Sequence, residues 1–133
     1  MLNPQVVRSG NVIQAFFGKV NVIQWLELNL QYEVKPCDAL LVVPIRGDAL
    51  VGDGINEGDM VIAKMNFAIE ELTPGKLVLL TSPQGLLVLH AYLTLEGAAR
   101  FAPSNLDCES YLFRRGAFKI MGVVVEVIGQ SEL

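Results

Sequence analysis

Ile45-Arg46-Gly47-Asp48-Ala49-Leu50-Val51-Gly52-Asp53-Gly54-Ile55-Asn56-Glu57-Gly58-Asp59-Met60-Val61-Ile62 is the stretch on which the reading of this chain turns. It begins on the end of an apolar run and passes into a tight turn that opens one helical turn. A second turn then delivers it into another apolar run. Asp48 is expected to cap the helical turn, because a short acidic side chain can accept from a free backbone amide at that place. Gly54 and Gly58 flank a short excursion, and Gly58-Asp59 launches the strand that follows.

Outward from this stretch the dominant signal is a period of two. Val20 to Leu30 alternates in part, with Val22, Gln24, Leu26, Leu28 and Leu30 on one face. Ala39 to Ile45 and Met60 to Met65 are short apolar runs of strand length, with Lys64 expected to point outward. Leu77 to Thr81 and Leu86 to Leu93 are joined by Ser82-Pro83-Gln84-Gly85, which carries Pro and Gly where a hairpin turn needs them. A last strand is expected from about Ala117 to Ile128. Helix signals are scarce. The best, Phe67 to Leu72, is short and stops at Thr73-Pro74-Gly75. Many short strands punctuated by Gly and Pro point to a mostly β domain of curved antiparallel sheets. Residues 1–11 are expected to be loose or a linker remnant, and 12–133 to form one domain.

Composition narrows the function classes. The chain has 133 residues, of which 52% are hydrophobic and only 18% charged, a balance that suits an oligomer interface better than a fully solvated surface. The net charge of −4 gives no basic footprint for nucleic acid, and Arg114-Arg115 is too small a positive spot to hold a duplex. Cys37 and Cys108 are expected to be free thiols. One histidine and no CxxC pair argue against a metal site, and no cofactor motif is present. Met1-Leu2-Asn3-Pro4-Gln5 lacks the pattern of a signal peptide, and no apolar run reaches membrane-spanning length, so a cytoplasmic protein is expected. Arg46-Gly47-Asp48 spells the integrin-binding tripeptide, but the missing secretory signal and the turn itself account for it more simply.

The stretch 45–62 resembles the C-terminal domain of the self-cleaving LexA/UmuD family. There a Gly-(Met/Asp)-Ser-Met element is followed by Gly-Ile, then Gly-Asp and an apolar strand. Here every element is in order except the serine. Leu72-Thr73-Pro74-Gly75-Lys76-Leu77-Val78 is similar to the family's strand entry. Phe101-Ala102-Pro103-Ser104-Asn105 resembles its Pro-x-Asn turn, and Phe118-Lys119-Ile120-Met121-Gly122-Val123-Val124 its closing strand. Together these cover roughly residues 12 to 128. The resemblance implies the signal-peptidase-like, β-clip-containing type of fold.

It also implies a chemistry that this chain lacks. The family cleaves itself with a serine nucleophile and a lysine whose pKa is lowered by burial so that it can act as base. The serine position is Ala49. The lysine position falls on His90 when counted from Gly85, and on Leu89 when counted from Gly75. The cleavage site, Ala-Gly or Cys-Gly in the family, matches Phe17-Gly18, where Phe17 is too large for a pocket shaped for a small side chain. Ser82 and Ser104 lie on expected turns and have no motif support as substitutes. The expectation is a catalytically degenerate regulator, not an enzyme. It would dimerise through the C-terminal strand: Lys119, Ile120, Met121, Gly122, Val123, Val124, Val125, Glu126, Val127 and Ile128. That run is apolar on both faces and would be a liability at a sheet edge unless paired. DNA would be read only by an N-terminal helix-turn-helix domain outside this chain, as part of an SOS-type response to DNA damage. Two alternatives stay open: a stand-alone UmuD-like partner of a polymerase or of RecA, and a self-cleaving peptidase inactivated by a Ser-to-Ala change at 49.

Overall fold

A computed structural model describes the backbone of residues 5–8, 16–17 and 20–21, and both backbone and side chains of 39–94 and 96–133. The protein is mostly β. Its strands are β1 (Gln5–Arg8), β2 (Phe16–Phe17), β3 (Val20–Asn21), β4 (Ala39–Pro44), β5 (Met60–Lys64), β6 (Lys76–Ser82), β7 (Gly85–Leu93), β8 (Ala99–Ala102), β9 (Tyr111–Phe113) and β10 (Lys119–Ile128). Eight of them form one sheet in the order β1-β4-β5-β10-β6-β7-β8-β9, and β2 pairs with β3 in a separate two-stranded unit. All pairings are antiparallel.

The central strands are apolar on both faces because both faces are covered. Val61 and Ala63 lie in one buried cluster with Leu41, Val43, Ile45, Leu50, Ile55 and Leu79. Their sheet neighbours of opposite parity, Leu40, Val42, Met60 and Ile62, are also buried. On β6, Leu79 belongs to the first cluster, while Val78 and Leu80 join Leu89, Ala91, Ala99 and Phe101 in a second. A strand buried on both sides loses the alternation of a half-solvated one and reads as a continuous run. Phe101 anchors the second cluster, with Phe118 edge-on at 5.1 Å between ring centroids.

Several expectations are sharpened and several corrected. The β6–β7 hairpin closes through Pro83-Gln84, with Ser82 opposite Gly85 and Gly85 at φ 100°. Pro83 cannot take a positive φ, and the left-handed residue of this connection falls on Gly85, which adopts it without strain. The expected helix at Phe67–Leu72 shrinks to a 3-10 turn, Ile69–Glu71. Glu71 holds it by accepting from the Ala68 amide and from Lys64 Nζ at 2.9 Å, so Lys64 is paired and half-buried, not simply pointing out. Residues 1–11 are not uniformly loose: Gln5–Arg8 pairs in register with β4, where the β-branched pair Val6-Val7 suits an extended edge. The long alternation proposed over Val20–Leu30 is described only as far as Asn21; the rest lies outside the described residues, as do Gly18 and Cys37.

The largest correction concerns β10. It is not an edge strand but the strand that joins the two halves of the sheet. Its first half pairs with β6 (Lys119↔Thr81 to Val123↔Val78) and its second with β5 (Val123↔Lys64 to Ile128↔Met60). Gly122 sits where the two halves meet. A Cβ there would lie 2.9 Å from the Lys64 carbonyl oxygen, so only glycine admits the close approach. Beyond Val123 only the β5 side of β10 is paired among the described residues. The open part of the strand is therefore Val124–Ile128 rather than the whole of 119–128.

Candidate functional site

The loop that carries Ala49 is built by two apolar pegs and a closed hydrogen-bond frame. Leu50 and Ile55 are buried at 2% and 5% exposure. The Ile45 amide donates to the Asp59 carbonyl and the Gly58 amide donates back to the Ile45 carbonyl, closing the loop at its base. Inside it, Val51–Asp53 forms a 3-10 turn that ends on Gly54 in the left-handed region, φ 77°. The expected Asp48 side-chain cap is corrected here. Leu50 occupies the cap position with no side-chain bond, and it is the Asp48 carbonyl that accepts from the Val51 amide. Asp59 secures the far end: its two carboxylate oxygens accept from the Asn56 amide and the Gln130 amide, each at 2.8 Å. That second bond ties the C-terminal 3-10 turn, Gln130–Glu132, to the base of the loop.

The turn after β8 clasps the loop from outside. The Ala49 carbonyl accepts from the amides of both Ser104 (3.0 Å) and Asn105 (3.1 Å). Asn105 Nδ2 donates to the Asp48 carbonyl, and Ser104 Oγ accepts from the Asp53 amide. Gly52 permits this contact, because a Cβ at that position would stand 2.5 Å from the Ser104 carbonyl oxygen. Cys108 is free, its Sγ 3.7 Å from Asp48 Oδ1. Desolvation and the adjacent Asp48 carboxylate push its thiol up, which keeps it protonated and poorly nucleophilic.

His90 is drawn to this loop by a contact on each ring nitrogen. Its Nδ1 lies 2.8 Å from the Gly75 carbonyl and its Nε2 lies 2.8 Å from Asp53 Oδ2. Both partners are acceptors, an arrangement that favours the ring protonated on both nitrogens. Burial pulls its pKa down, but the Asp53 bond and charge and the Gly75 bond outweigh it, and the net shift is upward. In its protonated form both N–H groups are committed to these two acceptors.

Alternation along β7 places Leu89 and His90 on opposite faces. Leu89 is buried in the second cluster, and Ala49 packs against that same cluster. On Ala49's side the residue supplied by β7 is thus apolar. The structure brings together Ala49, Ser104 and Asn105 through backbone bonds, and Asp53 with His90 through a side-chain bond. Phe17 pairs with Val20 in the two-stranded β2–β3 unit, and Gly18 lies outside the described residues. Asp53 and Gly75 as partners of His90, and Ser104 Oγ as an acceptor, are not foreseen by the sequence reading. They lie 37, 15 and 51 positions from the groups they bond, and no local pattern announces such pairs.

Among the described residues no group of three or more His, Cys, Asp and Glu side chains could hold a metal ion, and no helix is long and apolar enough to cross a membrane. No protein-family model matches this chain, and no curated protein matches it.

Proposed function

We propose that this chain is the dimerisation and regulatory domain of a LexA-like transcription regulator of the cytoplasm that no longer cleaves itself, and that it acts by protein contact. The observation that carries this reading is the state of the former catalytic positions. A methyl group stands at 49, the β7 residues in the cluster it packs against are apolar, and the imidazole of His90 is engaged at both nitrogens. Nucleophilic self-cleavage needs a hydroxyl beside a neutral base, and the residue at position 49 supplies no hydroxyl. The contact surface in this reading is β10, with the open run Val124–Ile128 pairing with its copy across a twofold axis. DNA is contacted by a separate domain of the regulator.

The test is restoration of the missing groups. Ala49→Ser alone, and Ala49→Ser with His90→Lys, are incubated at alkaline pH and weighed by mass spectrometry. Intact chains are expected from both. Fragments cut after Phe17 in the single variant would overturn the non-cleaving reading and favour a peptidase inactivated at position 49.

A further inference from the structure

We propose that Glu126 guards the open edge of β10, its carboxylate competing with a second copy of this chain for the backbone amide of Val127. The inference rests on the dimer reading above and concerns how strongly that edge can pair.

In an antiparallel ladder, successive residues alternate between those whose N–H and C=O face the partner strand and those whose groups face away. Along the second half of β10 the pairs are Glu126↔Ile62, Val127↔Val61 and Ile128↔Met60. The Val127 amide donates not to β5 but to Oε1 of Glu126, at 2.8 Å. Val127 therefore faces away from β5, towards the side on which β6 stopped pairing at Val123↔Val78. The amide that an added strand would need is already occupied by the side chain one residue back.

The occupant this edge fits is a second copy. An antiparallel edge is complementary to itself across a twofold, with no foreign sequence required. Val124, Val125 and Val127 are half-buried, and Val124 and Val127 also pack against the first core cluster, so a seam would use the part of them left exposed. Glu126 is the middle residue of the open run Val124–Ile128. Pairing about that middle sets two Glu126 carboxylates opposite each other, and like charges directly across a ladder oppose pairing. Glu126 thus weakens association twice, by occupying the Val127 amide and by its charge. A charge on an exposed strand edge is also a common way to keep it from pairing without control.

The experiment is a concentration series in sedimentation velocity on the full chain and three variants. Glu126→Ala frees the amide and removes the charge, and its homodimer Kd should fall at least about tenfold, the scale of one hydrogen bond to a charged group. Glu126→Gln keeps an acceptor for the amide but not the charge, and should fall between the two. Val127→Pro deletes the outward amide without touching a β5 ladder bond, and should be monomeric with an unchanged circular dichroism spectrum. If Glu126→Ala dimerises no more tightly than the parent while Val127→Pro is monomeric, the guard is wrong and the dimer reading stands. If Val127→Pro dimerises as tightly as the parent, or parent and Glu126→Ala are both monomeric, the β10 dimer itself is wrong and the guard falls with it.

Discussion

The loop around Ala49 and the outer edge of β10 are built from similar material, short apolar runs broken by glycine and acid, yet they end in opposite states. In the loop the polar groups of 45–59 are extensively claimed. Ile45, Gly58 and Asp59 bond one another's backbones, Ala49 accepts twice from the 104–105 turn, and Asp53 binds both Ser104 and His90. Along Val124–Ile128 one side is laddered to β5, and on the other the Val127 amide is met by a side chain of the same strand. A segment clasped from several directions is a rigid scaffold, whereas a half-paired strand retains the capacity to bind. The difference sets a loop with its backbone groups claimed against a strand segment paired on one side among the described residues.

Substitutions can break that contrast in order of size. The largest effect is expected from Gly52→Ala, which drives a methyl into the Ser104 backbone and should cost about 2–3 kcal/mol in urea unfolding. A cost well under 1 kcal/mol would mean the 104–105 turn can step back, and that the clasp is loose. Asn105→Ala removes the bond to the Asp48 carbonyl and should cost about 1–2 kcal/mol, with the loss visible as faster amide exchange over 48–54.

The His90–Asp53 link should be smaller, under about 1 kcal/mol, as expected of a partly solvated pair. Its sign with pH is fixed. The folded pKa of His90 is raised above its ordinary value of 6.5, so the contribution is fully present below that value. It is lost as pH rises through the folded value. The Tm advantage of the parent over His90→Gln should be greatest below that ordinary value and shrink as pH rises above it. An advantage that grew with pH would show that the ring is neutral in the folded protein. Smallest of all, Glu126→Ala should leave monomer unfolding within about 0.5 kcal/mol of the parent while changing assembly, which separates the open edge from the closed loop.

Strands β4, β5, β6, β7 and the body of β10 are readable from the sequence because each is a continuous or alternating apolar run bounded by Gly, Pro or charge. β1, β8 and β9 are not. Ala99–Ala102 and Tyr111–Phe113 span four and three residues, too short for a period of two to declare itself. The turn at Pro103-Ser104-Asn105 is recognisable, but its role as the clasp of Ala49 is not, because the bonds run from its backbone to another backbone and leave no mark on residue type. Asp48 looks like a cap by its chemistry, and loses that part because Leu50 begins the 3-10 turn two residues later.

By itself the sequence determined the mostly β class, the hairpin at Pro83-Gln84, the loop between β4 and β5, and the absence of a serine at position 49. Each of these is a property of residue type over a short span, where backbone preference and side-chain chemistry act locally. Tertiary structure alone decided that β10 bridges two half-sheets, that His90 is bonded on both nitrogens, and that Glu126 covers an outward amide. Two of those outcomes depend on which distant strands close together, and the third on which side of β10 is left unpaired among the described residues. That is set by how the whole core is buried, and no single stretch of sequence contains it.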